Sequence, residues 1–568
     1  MIETFVYAGS SGVVDRPEGR SIRLAPNLVR EPVAFDAELR HPLRFREAIS
    51  ALHDVVVSDL RFKKKDKTAY KAWLKEQANR DAAVRRDAWR AANEQLQAAH
   101  ATPLPPEFEA DYTAARKLYW SARDQYSDYL RKHDPALWRT LMPSDPVITV
   151  ANDVVFFECF SKDESAYGCL YTRRADAFGP SSTLQVGTTN VDYSEALYEQ
   201  FQTLRTYRPT KFSLDPEGFS VQRAAQETPA HREEKIDLPN TWLSGFMKLQ
   251  AAMTMPTTRV PLSRECVYSL LAFLKRNIAK RSPRALRFEL DPGKPARLVL
   301  EPWEKAFQVV GPAYAGPRTP AIRVWGTRRL LVLARLLPLA ESIEVHLLAT
   351  GLPSFWVVRM GEMTFVLGLS GWTTNDWSRG SALDLLEPPR AISRELVGAT
   401  VRSLKTRRSA TLAEVQADMG EGDPFLVGQA LRHLAEMGQV VFDLTTGVYR
   451  YRQILTVPEA ETLLAHESEE VAAARKLVAE RRFELVDRQD GPSLSRVIIG
   501  KVESTPVEIL VDPDDRIRRG KCLCSYFKQY GLRNGPCRHM IALRWGLSVT
   551  GLAALQQSEA FNRMLGRS

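Results

Sequence analysis

The sequence predicts a multidomain α+β protein: a helical hairpin, a mixed α/β body, a unit of three helices and a β-hairpin, and a C-terminal β-β-β-α module. Three observations carry that expectation. At 568 residues the chain is too long for one hydrophobic core, and the usual domain size implies roughly three to five units. Its texture changes repeatedly, from charged, alanine-rich segments to alternating apolar runs and back. Finally, half of the six cysteines lie between residues 521 and 545, in KCLCSYFKQYGLRNGPCRHMIALRW, beside one of only nine histidines.

Composition excludes some classes and leaves others open. With 44% hydrophobic and 26% charged residues, the chain is neither disordered nor fibrous and can bury a sizeable core. A net charge of +10 leans towards acidic partners such as nucleic acid, but mildly, given 78 basic and 68 acidic side chains. The longest apolar run, LLVLARLLPLA at 330–340, contains Arg335 and Pro338 and falls short of the ~20 residues that span a bilayer. The opening MIETFVYAGSSG has neither the basic nor the apolar region of a secretory leader. A cytoplasmic protein without a membrane segment is expected, and there clustered cysteines bind metal more often than they pair.

Residues 1–60 mix short apolar runs such as DVVVSDL with turn residues, which predicts a β-containing start. Residues 61–140 read as a helical hairpin, two charged helices broken by TPLPPE at 102–107. In the second helix Tyr112, Tyr119 and Tyr126 recur every seven residues, with Ala115, Ala122 and Tyr129 offset by three, the spacing of a helix seam. The lysine run RFKKKDK at 61–67 reads as a solvated helix end or as a phosphate contact.

Residues 141–237 form an α+β region, with apolar strands VITV, VVFFECF and CLYTRR and a helix over 192–207. Residues 238–390 form an α+β body with a helix over 264–281 and strands ARLVLEPW, IRVWG, SFWVVRM and TFVLGLS. Asp215-Pro216, Asp291-Pro292 and Asp512-Pro513 read as strand ends, because proline presets φ and removes a ladder donor. The loop GWTTNDWSRG at 371–380 is either anchored by Trp372 and Trp377 or offered to a partner. Cys159, Cys169 and Cys266 stand singly in apolar surroundings and read as buried small hydrophobes.

Residues 391–455 carry a clear helix grammar. The segment ISRELVGATVRSLKTRR precedes a capping box, Thr411 with Glu414 three residues on, which starts a second helix near Leu412. Pro424 suits the first position of a third, whose apolar stripe is Leu426, Ala430, Leu431, Leu434 and Met437, stopped by Gly438. VVFDL, TTG and VYRYR then make a β-hairpin. Three helices followed by a hairpin resemble a winged helix. In a DNA-binding example the third helix enters the major groove, so Gln429, Arg432 and His433 would face bases and Arg402, Lys405, Arg407 and Arg408 phosphates. Glu436 and Asp443 oppose that use, and winged helices also serve as protein-protein modules.

After a helical connector over 456–494, residues 495–550 hold the cysteine cluster, and 551–568 form a tail. Cys522-Leu-Cys524 and Cys537-Arg-His539 supply three thiolates and one imidazole, the donor set of a closed tetrahedral structural zinc site. Four protein ligands leave no open position for a substrate or reactive water. RVIIGKVE and VEILVDP read as paired strands, RIRRGKCLC as a third strand carrying both cysteines, and Pro536 as the start of a helix. A module this small would be marginal alone, and zinc binding contributes an apparent ~10–16 kcal/mol near neutral pH.

The Cys-x-Cys…Cys-x-His pattern, followed by an apolar helix from Met540 to Leu543, resembles the SWIM zinc finger family over about a tenth of the chain. The resemblance implies zinc on Cys522, Cys524, Cys537 and His539, and a binding module, since such fingers are thought to contact DNA or proteins. It also implies bacterial systems in which a MoxR-like AAA+ ATPase or a von Willebrand A-domain protein is the partner. The cations Arg516, Arg518, Arg519, Lys521, Lys528, Arg533 and Arg544 outnumber Asp514 and Asp515. Tyr526, Phe527 and Tyr530 lie among them, a mixture that suits nucleic acid as well as a merely solvated surface.

No phosphate-binding glycine loop, H-E-x-x-H or G-x-S-x-G elbow occurs, so no enzyme activity and no small-molecule substrate are expected. The expected function is a zinc-binding interaction protein that engages DNA, RNA or a protein assembly. The alternatives are an adaptor for an AAA+ ATPase with no nucleic-acid role and, third, an enzyme whose active site lies in the 140–390 body.

Overall fold

A computed structural model describes residues 5–7, 11–16, 19–24, 33–57, 146–161, 163–191, 195–207, 209–214, 231–233, 240–280, 283–311, 313–371, 377, 392–420, 423–453, 469–490, 495–512, 517–532 and 535–546. The chain divides into two compact units, Asp59–Met142 and the remainder. The first unit, and with it the expected helical hairpin and the lysine run, lies outside the described residues, as do Trp372, Arg516, Arg533 and the tail over 551–568.

The centre of the larger unit is an eight-stranded antiparallel sheet. Its strands run in the order Thr258–Leu262, Ser342–Leu347, Ser354–Met360, Met363–Leu369, Ala166–Arg173, Val154–Phe160, Val147–Val150 and Gly187–Asn190. Val154–Phe160 is buried at every position, which explains its apolar run, interrupted only by Glu158: both faces of the strand are covered. The sheet crosses the boundary expected between 237 and 238, because Ala166–Arg173 pairs with Met363–Leu369, Cys169 opposite Val366.

One face of this sheet receives the helix Pro42–Val57, whose Phe45, Ala48, Ile49, Leu52, Val55 and Val56 recur at helical spacing and are buried. Gly168 permits the approach, since a Cβ there would lie 3.0 Å from the Leu52 side chain. A five-stranded sheet, ordered Gly12–Arg16, Gly19–Leu24, Thr210–Leu214, Ala34–Leu39 and Thr183–Gln185, joins the same core through Phe35, Phe178 and Phe212. Cys159, Cys169 and Cys266 are buried, and Trp377 is buried against Phe355 at 6.1 Å.

Residues 392–453 contain the helices Arg394–Arg407, Leu412–Asp418 and Pro424–Glu436, and a three-stranded sheet ordered Ser409–Ala410, Val448–Tyr451 and Val440–Asp443. Thr411 and Glu414 close the capping box, and Asp423 caps the third helix through the Phe425 N–H. Leu404, Val415, Val427, Leu431, Leu434, Val440 and Tyr449 form a separate core. The unit is fastened to the body: the third helix packs on the helix Asn240–Met253, the Phe442 N–H donates to Gln250, and Arg450 pairs with Asp153.

The C-terminal part starts with the helix Glu469–Ala479. A four-stranded antiparallel sheet follows, Phe483–Asp490, Arg496–Val502, Thr505–Val511 and Ile517–Cys522 in sequence order, then the helix Ser525–Tyr530 and a helix over 538–546. The expected connector is therefore helical only in part, and Phe483–Asp490 adds a fourth strand to the three expected. The last helix lies on the sheet: a Cβ at Gly500 would meet Leu543 at 2.4 Å, and one at Gly520 would meet Met540 at 2.7 Å. These two glycines let an apolar helix sit close to a sheet whose inner residues are Ile498, Val502, Val507, Ile509 and Val511.

Candidate metal centre

Each donor sits where the backbone changes course. Cys522 ends the last strand, Cys524 caps the helix Ser525–Tyr530, and Cys537 immediately precedes the helix over 538–546. The ligand atoms of Cys522, Cys524, Cys537 and His539 all lie within 4.8 Å of one another, and three of the four residues are buried. His539 turns Nδ1 towards the sulfurs, 3.7 Å from Cys522 Sγ.

Backbone donors converge on the sulfurs. The Cys524 N–H donates to Cys522, the Phe527 N–H to Cys524 at 3.4 Å, and the Met540 N–H to Cys537. Such donors favour thiolate over thiol. A hydrogen bond to Cys522 together with burial pushes the Cys537 thiol up to about 12, while that same contact holds Cys522 below the ordinary thiol value. Contact with Cys537 raises His539, and burial raises Cys524. Three thiols this close resist ionising together, and a cation among them would reverse that preference by supplying the compensating charge.

Two carboxylates support the donors from outside, and the sequence did not reveal either. Glu470 accepts from the Arg538 N–H at 2.6 Å and from its guanidinium, so the residue between Cys537 and His539 is tied to the helix Glu469–Ala479. Glu503 lies 3.6 Å from His539 Nε2. Sixty-eight positions separate Glu470 from Arg538, so no short-range spacing could have signalled the contact.

The expected nucleic-acid residues are dispersed. Arg519 and Lys528 are exposed, whereas Arg518 is 2.7 Å from Asp512 and Lys521 3.1 Å from Glu508. Arg407 makes a two-pronged pair with Asp418, at 2.6 and 2.7 Å, and Arg408 is exposed at the end of its helix. Arg432 is only 14% exposed and pairs with Glu436, and Gln429 and His433 are half-buried beside it.

The fold and the site define a mixed α/β protein of several sheets with a C-terminal Cys3His cluster that could hold one metal ion. Among the described residues, no helix is long and apolar enough to cross a membrane. No family model matches the chain, and no curated protein does. Solved structures that align with it include the proliferating cellular nuclear antigens of Entamoeba histolytica and Thermococcus kodakaraensis. Each is 10% identical with a TM-score of 0.27, over 40% of this chain and 89% and 90% of theirs. Likeness at that level defines neither a shared fold nor a shared role.

Proposed function

We propose that the chain is a zinc-binding interaction protein, in which Cys522, Cys524, Cys537 and His539 hold one structural zinc and a SWIM-type finger over 495–550 engages DNA or RNA. The observation that carries the reading is the convergence of three sulfurs and an imidazole within 4.8 Å. Soft thiolates with one imidazole suit zinc, and a complete set of four leaves it a structural and not a catalytic task. Arg519 and Lys528, exposed around the cluster, supply the phosphate contacts, and Tyr526 and Tyr530, 5.1 Å apart, supply aromatic faces.

A second reading is favoured by the way the 392–453 unit is held. If it is a winged helix, its third helix already packs on Asn240–Met253 and its hairpin touches the body, where Arg359 donates to the Thr445 carbonyl at 3.2 Å. That commitment suits a protein-docking module, as in an adaptor for an AAA+ ATPase.

Elemental analysis of the full chain tests the metal, with one zinc per chain expected. Gel shifts with single- and double-stranded DNA and RNA, at low and physiological salt, test the partner. A zinc-loaded protein that binds none of them would sink the nucleic-acid reading and leave the adaptor, which co-purification with an ATPase would support.

A further inference from the structure

We infer that Glu503 is a positioning residue for His539: its carboxylate accepts the Nε2 proton and so presents Nδ1 to the metal. The inference rests on the zinc reading of the cluster. A neutral imidazole offers a lone pair from one nitrogen only, and the partner of the other nitrogen decides which one. His539 is 7% exposed, with Nδ1 facing Cys522 and Nε2 facing Glu503 Oε2 at 3.6 Å. That separation is an ion-pair approach, which in the proposed metal-bound state shortens to a hydrogen bond.

The carboxylate is itself held. Glu503 occupies the tight turn between Arg496–Val502 and Thr505–Val511 at φ 56°, a left-handed conformation that glycine or asparagine usually fills. Its N–H donates to the Arg482 carbonyl at 2.8 Å, and Oε1 accepts from Arg482 Nη1 at 3.1 Å. Arg482 thus engages one oxygen and leaves Oε2 towards the histidine. The other carboxylate near the ring, Glu470, is engaged by Arg538. A ligand histidine whose second nitrogen meets a carboxylate is oriented and made more basic, and loss of such a partner typically weakens metal binding about 10–100-fold.

The test uses the full chain loaded with zinc and titrated with a chromophoric chelator. Glu503→Ala is expected to weaken zinc binding about 10–100-fold, and Glu503→Gln, which keeps an acceptor oxygen, to weaken it less. Arg482→Ala, at a side chain 53% exposed and not adjacent to any ligand, should fall between wild type and Glu503→Ala, and carries the test should Glu503→Ala misfold. Long-range proton–nitrogen correlations of the histidine-labelled chain should show His539 metallated at Nδ1 and protonated at Nε2. Unchanged affinity in all three variants, or His539 metallated at Nε2, would overturn the inference while leaving the zinc reading intact. A wild-type chain that holds no zinc would overturn both.

Discussion

Arg452 and Glu158 form an ion pair whose side chains are 1% and 0% exposed, although 294 residues separate them. The Tyr167 hydroxyl donates to the other Glu158 oxygen at 2.7 Å, and the guanidinium lies over Phe156 and Phe246, 5.9 and 5.8 Å from the ring centroids. A carboxylate this deep in a sheet is tolerable only while paired. Arg452→Ala should therefore cost about 3–5 kcal/mol by leaving Glu158 uncompensated, whereas replacing both residues with apolar ones of similar volume should restore most of it. Urea midpoints of the two single variants and the double variant measure the coupling; a double-variant loss equal to the sum of the two single losses would show that the pair does not act as a unit.

That pair also shows where sequence reading stops. The Cys3His cluster was legible because the Cys-x-Cys and Cys-x-His spacings are local and cysteine and histidine are scarce in this chain. The helices of 392–453 were legible through local grammar, Thr411 with Glu414 and Pro424 at a first helical position. Nothing local announces that Ala166–Arg173 pairs with Met363–Leu369, or that Arg452 reaches Glu158, since burial on both faces removes the alternation that would reveal a register. Arg432 is the converse case. It occupies the position that a recognition helix would offer to bases, yet its own helix supplies a partner in Glu436 at 3.1 Å.

Removal of one of the proposed metal ligands should be felt beyond the cluster. Cys537 stands at the start of the helix over 538–546, which covers the sheet through Met540 and Leu543. Cys537→Ser is expected to lower zinc below one per chain and to make the segment from Glu469 to 546 sensitive to limited proteolysis, and chelator treatment of the wild type should do the same. Full zinc content in the variant would refute the ligand assignment.

A pH dependence follows from Glu344. Contact with His346, whose Nε2 lies 3.3 Å from its carboxylate, holds its carboxyl at about 2, below its ordinary 4.5, with burial opposing and Arg259 assisting. The folded state thus binds this proton less tightly than the unfolded chain. The resulting stability is complete above 4.5 and is lost as pH falls from there through about 2. Arg359 bridges Glu344 at 3.2 Å and the Thr445 carbonyl, so the same acid range should loosen the hold on the 440–451 hairpin. Glu344→Gln should flatten the urea midpoint against pH below 4.5, and an unchanged profile would remove this carboxylate from the account.

The location of any nucleic-acid contact can be read from salt dependence. Arg519 and Lys528 are exposed on the C-terminal module, whereas Arg432 is 14% exposed on a helix already packed against Asn240–Met253. If the module makes the contact, Arg519→Glu and Lys528→Glu should each weaken binding. Each should also lower the slope of log affinity against log salt, by ~0.9 on duplex DNA or ~0.7 on a single strand for every phosphate no longer neutralised. Arg432→Ala should leave both quantities where they were, because its guanidinium is engaged by Glu436. The reverse pattern would require the third helix to leave its packing surface before binding, and would move the recognition surface from the C-terminal module to the 392–453 unit.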